Sequence, residues 1–323
     1  MRGSTGLAAG CRGGRARRRT DRTARPGGTM TTSQSSTPQT AAPLTVRPLG
    51  GAFGAEIHGI DLAEEDASLH QALADALAEH HVLCVREQNH LSPAAFLAFA
   101  RRFGRATRYP FGRTMDGFPD VLRIIKEPAT EANFGGVWHT DSPYHEIPPS
   151  HTVLLGIDIP DTGGDTLVAD MCAAYEALDE ATKARIDHVD GVFSAAKVHG
   201  SRSEDLRLGD VVRVDGGPRA DQEFHHPIVR THPVTGRRGL YVSACHMTGL
   251  AGMAPEEADP LIAFLTEHVV RPEFTSRIRW APGTVVVLDN RCVQHKALND
   301  YPGRRREIHR IQISDDRRPV RLA

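Results

Sequence analysis

His139 and Asp141, in the tetrapeptide Trp138-His139-Thr140-Asp141, place an imidazole and a carboxylate two residues apart. On a β-strand such a pair points the same way, because strand side chains alternate faces. His295, far downstream, can then supply a second imidazole from another strand. Two histidines and one carboxylate on one face of a metal leave three coordination positions open, the donor set of non-heme Fe(II) oxygenases.

His-x-Asp alone is a weak signal in a chain with 17 histidines, and His188-Val189-Asp190 repeats the spacing. That second match ends a run of helical periodicity (173–189), where positions i and i+2 face apart, so His188 reads as a solvated helix-end residue. The 139/141 pair has different surroundings. Gly135-Gly136 precedes it and lets backbone approach a ligand closely. Ser142-Pro143 follows and interrupts regular structure. The chemistry is expected at the end of a short strand beside a loop.

Further segments fit the same site. Gly163-Gly164-Asp165-Thr166 is a turn running into Leu167-Val168-Ala169, and Pro282-Gly283-Thr284 is a turn before the apolar run 285–288 that leads to His295. In the stretch 306–313, Arg306, Ile308, Arg310 and Gln312 share one strand face while Ile311 and Ile313 take the other. An interior arginine suits a dicarboxylic co-substrate, since its planar fork binds a carboxylate through two parallel hydrogen bonds.

In order and spacing, Trp-His-Thr-Asp, Gly-Gly-Asp-Thr, His-Pro-x-x-Arg-Thr-His-Pro (226–233), Leu-Asp-Asn-Arg (288–291) and the terminal arginine cluster resemble the TauD/TfdA family over about residues 43–316. The family comprises Fe(II)- and 2-oxoglutarate-dependent dioxygenases, including taurine and phenoxyacetate dioxygenases and alkylsulfatases. The resemblance implies iron ligands at His139, Asp141 and His295. It implies that Thr166 and Arg306 hold the distal carboxylate of 2-oxoglutarate, and that Arg310 meets the anionic head of the substrate. With O2 as the second co-substrate, a substrate carbon is hydroxylated and succinate and CO2 are released. The retained Asp141 favours hydroxylation over halogenation. Tyr109 stands where taurine dioxygenases place a sulfonate-contacting histidine, and Gly135 where they place an asparagine. Both departures argue against taurine itself, and both positions are expected to touch the substrate, a small organic anion such as a sulfonate, sulfate ester, phenoxy acid or other carboxylic acid. Arg304 and Arg305 read as a solvated basic face. Two other readings remain open: a jelly-roll metalloenzyme of another reaction class, for which Thr166 and Arg306 have no task, and a non-catalytic ligand-binding barrel.

At 323 residues, 40% hydrophobic and 24% charged, the chain can bury a sizeable core. No apolar run approaches the length of a membrane-spanning helix. The net charge of −1 conceals an asymmetry: residues 1–29 carry eight arginines and one aspartate, which leaves 31 basic and 39 acidic side chains elsewhere. That acidic remainder excludes a nucleic-acid footprint. Five scattered cysteines (11, 84, 172, 245, 292) suggest neither a disulfide framework nor a zinc site, which fits a reducing cytoplasm. Family members are often dimers or tetramers, so a homo-oligomer is compatible with the resemblance.

Residues 1–42, rich in Arg, Gly, Ser and Thr, read as a disordered basic tail, and Met30 is an alternative start. The domain follows at 43–316, and 317–323 form a C-terminal tail. Within the domain, helices are expected at 67–80, 93–103, 171–188 and 255–270. Strands are expected at 54–59, 82–85, 152–157, 239–243, 276–280, 284–288 and 307–313, and 105–136 reads as loop-rich. Residues 194–225 are polar and aperiodic, as in an insertion that covers a site, with Lys197 and His199 read as solvated. Many short strands with glycine turns and a few flanking helices point to a mainly β fold with a double-stranded β-helix, or jelly-roll, core.

Overall fold

A computed structural model describes residues 44–64, 66–200 and 217–321. The basic tail and the middle of the 194–225 segment lie outside the described residues. The largest sheet runs in the order Thr45–Pro48, Ala55–His58, Val82–Val85, Val285–Asp289, Pro149–Asp158, Arg306–Ser314, Phe118–Lys126 and Thr114–Met115, with Ala106–Thr107 also pairing to Arg306–Ser314. A second sheet has Thr166–Asp170 between Thr275–Ile278 and Val293–Ala297. These pairs are antiparallel except that Ala55–His58 runs parallel to Val82–Val85, joined across helix Ala67–His80. The mainly β, jelly-roll expectation holds.

Local chemistry explains the helices. Asp66 caps helix Ala67–His80 by accepting hydrogen bonds from the Ser68 and Leu69 amides, and His81, at φ 63°, ends it in the left-handed region. Ser92 caps Pro93–Arg101, with proline at the first helical position where no amide donor is needed. Both helices cover the outer face of the large sheet, packing Leu73, Leu77, Phe96 and Phe99 against Val153, Val285, Ile311 and Ile313. The inner face meets the second sheet through Leu154, Val286, Leu288 and Ile308 against Val168, Ile278 and Val293. Strand Arg306–Ser314 therefore divides as its alternation requires, with Ile311 and Ile313 outward and Ile308 inward between two arginines.

Several expectations need correction. Stretch 105–136 is largely loop, but it also contains the unforeseen nine-residue strand Phe118–Lys126, which pairs with Arg306–Ser314. Pro119 and three charged residues obscured it, and tertiary pairing overrode those local signals. The single helix expected over 171–188 is two, Met171–Glu176 and Glu180–Ile186, because Asp179 turns to cap the second. The 194–225 segment opens at the end of strand Asp190–Ser194 and closes in strand Glu223–Pro227, its antiparallel neighbour. The C-terminal tail is docked through Val320 and Arg321: the Thr231 amide donates to the Val320 carbonyl at 2.9 Å, and Arg321 pairs with Asp190. Among the described residues, no helix is long and apolar enough to cross a membrane.

Candidate active site

His139 and Asp141 do not share a strand. His139 forms an isolated antiparallel bridge with His295, donating its amide to the His295 carbonyl at 3.1 Å and accepting in return at 2.7 Å. That one bridge sets the two imidazoles side by side, ring centroids 4.2 Å apart. His295 belongs to Val293–Ala297, and Asp141 follows His139 in a loop that Ser142 leaves at φ 49°. The shared strand that alternation predicted is absent, and it is the bridge to His295 that brings the three side chains together.

Three donor atoms converge. Asp141 Oδ1 lies 3.6 Å from His139 Nε2 and 3.9 Å from His295 Nε2. His139 Nδ1 donates to the Val137 carbonyl at 2.7 Å, which leaves the Nε2 lone pair for a metal. The chemistry of the set fits a divalent transition metal. Burial, aided by neighbouring His139, pushes the His295 imidazole down to about 3, so it is a neutral ligand. Burial alone would raise the Asp141 carboxyl, but Arg310, His295 and His139 outweigh it and hold the group ionised, well below the usual carboxylate range.

Each Asp141 oxygen has its own partners. Arg310 Nη2 stands 2.7 Å from Oδ1. The Thr152 hydroxyl donates to Oδ2 and accepts from Asn290 Nδ2 at 3.0 Å. Asn290 in turn receives the Thr140 hydroxyl on its carbonyl at 2.9 Å, tying the loop down. Thr152 and Asn290 escaped the sequence reading; both sit in recognised segments, but nothing local marks a side chain that will bond to a carboxylate from another element.

The other sequence-derived positions gather around the same cleft, which His139, Asp141, Gly135, Thr166, His295, Arg306 and Arg310 all line. Thr166 opens strand Thr166–Asp170, and its hydroxyl accepts from Trp280 Nε1 at 3.0 Å. Arg306 opens its strand, buried, with its guanidinium 5.7 Å from the Trp280 ring centroid and 5.9 Å from that of Tyr301. Among the described residues it has no carboxylate partner. Gly135, at φ 75°, lies so close to the site that an added Cβ would be 3.3 Å from His139 Cε1.

Tyr109 does not line the cleft. It stands behind Arg310, whose guanidinium is 4.9 Å from its ring centroid, and its hydroxyl meets His199 Nε2 at 2.8 Å. His199 stacks on Phe111 at 4.5 Å, and Lys197 Nζ donates to the Met247 carbonyl at 2.6 Å, so neither is simply solvated. Arg305 also departs from a solvated basic face, since it joins Asp158 and Glu307 in an ion network; Arg304 is exposed beside Asp161.

Two other groups bring His, Cys or Asp donors together, His81/Cys172/Cys292 and His232/Asp289/Cys292. Their surroundings disfavour a cation. His232 Nε2 bonds to Asp289 at 2.9 Å and its Nδ1 accepts from the Val234 and Thr235 amides. His81 Nε2 faces the Arg237 guanidinium at 3.4 Å, which repels a cation. His188 joins no such group among the described residues, and Asp190 is held by Arg321.

Comparison with known proteins agrees with this geometry. The chain is 35% identical over 275 residues to an alkylsulfatase of Acinetobacter baylyi, covering 84% of this chain and 86% of that one. It is 31% identical over 292 residues to an alpha-ketoglutarate-dependent sulfate ester dioxygenase of Pseudomonas putida, covering 89% and 95%. The crystal structure of AAD-2 in complex with Mn(II) and N-oxalylglycine superimposes with a TM-score of 0.71 at 26% identity, covering 86% of this chain and 99% of that one. Residues 45–312 match the profile of the taurine catabolism dioxygenase TauD, TfdA family, and the chain belongs to that family.

Proposed function

We propose that this enzyme is an Fe(II)- and 2-oxoglutarate-dependent dioxygenase that hydroxylates a small organic anion, with sulfate esters as the first class to test. The observation that carries the reading is one cleft that brings together His139 Nε2, Asp141 Oδ1 and His295 Nε2, Arg310 paired to that same carboxylate, and Arg306 with Thr166, Arg306 having no carboxylate partner among the described residues. His139, Asp141 and His295 would hold the metal, leaving positions for the keto-acid end of 2-oxoglutarate and for O2. When bound, ferrous iron supplies O2 activation coupled to oxidative decarboxylation of the keto acid.

The chain's own residues do the rest. Arg306 forks the distal carboxylate of 2-oxoglutarate, and Thr166 adds a hydroxyl held in place by Trp280. Arg310 binds the substrate's anionic head and sets a carbon beside the metal; Tyr109 and Phe134 flank its guanidinium. Leu154, Ile124 and Ile308 exclude water from the cleft walls. The balance is 2-oxoglutarate, O2 and R–H to succinate, CO2 and R–OH. Where the hydroxylated carbon bears a sulfate, the product divides into an aldehyde and hydrogen sulfate. The buried free thiols suit a reducing cytoplasm.

The test is a panel of alkyl sulfates, sulfonates, phenoxy acids and amino acids with Fe(II), 2-oxoglutarate and O2, scored by substrate-stimulated succinate release. Stimulation by an anion that is lost in Arg310→Ala supports the reading. No succinate with any member, and none in its absence, refutes it. Arg306→Ala should raise the 2-oxoglutarate requirement sharply.

A further inference from the structure

We infer that Lys126 is a second cation for the distal carboxylate of the keto-acid co-substrate and, with Tyr301, sets the preference for a dicarboxylic keto acid. The inference rests on the 2-oxoglutarate reading above and adds to it residues that the sequence left in a loop.

Strands Phe118–Lys126 and Arg306–Ser314 pair antiparallel with Lys126 directly opposite Arg306. Residues opposite one another share a face of the sheet and are near neighbours. Both are buried, 4% and 5% exposed. Lysine is almost never buried without a partner, and like charges placed opposite destabilise a sheet. Yet among the described residues neither cation forms an ion pair. What they share is an aromatic ring: Lys126 Nζ lies 4.4 Å from the Tyr301 ring centroid and Arg306 Cζ 5.9 Å from it. A ring face offsets only part of the cost of burying a cation.

Two further atoms are left over at the same place. Among the described residues Arg306 Nε and Tyr301 Oη are buried with no partner in hydrogen-bonding geometry, although the two side chains face one another. Gly164 closes against both side chains, since an added Cβ would be 3.2 Å from Arg306 Cδ and 3.3 Å from Tyr301 Cδ1. Buried polar groups are normally satisfied, and a carboxylate seated on Arg306, which lines the cleft, would have the Lys126 ammonium and the Tyr301 phenol directly behind that guanidinium. A keto acid of the same length that ends in a methyl group would leave all three unsatisfied, which is how a site built for a polar group rejects an analogue lacking it.

The experiment measures binding of 2-oxoglutarate and of 2-oxovalerate to the full-length Mn(II)-loaded protein by calorimetry, for wild type, Lys126→Met, Lys126→Gln and Lys126→Arg. The expected result is at least a 10-fold weakening of 2-oxoglutarate in Lys126→Met and Lys126→Gln, with 2-oxovalerate changed less than 2-fold and most of the preference kept in Lys126→Arg. The ligand-free melting temperature should hold or rise in Lys126→Met, because an uncompensated buried charge is removed. Unchanged 2-oxoglutarate affinity, or equal weakening of both keto acids, overturns the assignment of Lys126 and leaves the enzyme's reading intact. If the wild type binds no 2-oxoglutarate, that reading fails and the Lys126 assignment fails with it. Should Lys126→Met not fold, Lys126→Gln carries the same comparison.

Discussion

Arg310 and Asp141 form a buried ion pair, Nη2 to Oδ1 at 2.7 Å, and Oδ1 is the same oxygen that faces the two imidazoles. On the proposed reading an anion seated on Arg310 would lie next to the carboxylate that holds the metal, so one contact would set both positions. Removing the guanidinium should raise the requirement for the anionic substrate by on the order of 100-fold. Arg310→Lys should recover little, since a point charge replaces a planar fork. Steady-state kinetics should show the change in substrate KM while substrate-free 2-oxoglutarate turnover survives; equal loss of both would assign Arg310 a structural role.

Thr152 holds the other oxygen of Asp141, backed by Asn290. Groups that orient a metal ligand without touching the metal typically change affinity ~10–100-fold when removed. Thr152→Val should weaken Co(II) binding in that range, measured by calorimetry, and Thr152→Ser should restore most of it because it keeps the hydroxyl. A Val variant with wild-type metal affinity would show that the hydroxyl merely fills space.

Gly135 at φ 75° and Gly117 at φ 78° provide a matched pair. Alanine in the left-handed region costs ~1–2 kcal/mol at either position. Only at Gly135 does the added methyl press on the ring proposed to hold the metal, 3.3 Å from His139 Cε1, whereas at Gly117 it meets nothing within 4 Å. Both variants should melt lower, and only Gly135→Ala should also bind Co(II) more weakly.

Acid should destabilise the fold well above the carboxylate range. Burial pushes the His151 and His226 imidazoles down to about 4. In the unfolded chain they titrate near 6.5, so the unfolded state takes up protons first as pH falls. Stability from these groups is complete above about 6.5, falls between 6.5 and 4, and levels off below 4, by up to about 3 kcal/mol apiece. Melting curves from pH 7.5 to 4.5 should show that slope, and His226→Gln should flatten part of it. A flat profile down to pH 5 would sink the prediction.

The sequence alone carried the reactive types. His139, Asp141 and His295, with Thr166, Arg306 and Arg310, all line one cleft, and they are legible as candidates because metal and carboxylate chemistry would need those side chains beside glycine turns and apolar runs. Capped helices such as Ala67–His80 are legible for the same reason: caps and periodicity lie within a few residues. Tertiary structure alone decided how these parts meet. His139 and Asp141 share a site through a single bridge to His295, a contact across more than 150 residues that leaves no periodic trace. Thr152 reached Asp141, and Tyr109 retreated behind Arg310, because facing sheets and flanking aromatics fix where a side chain ends. Phe118–Lys126 became a strand, and Lys126 a neighbour of Arg306, only because Arg306–Ser314 supplied the partner edge that its own proline and charges do not announce.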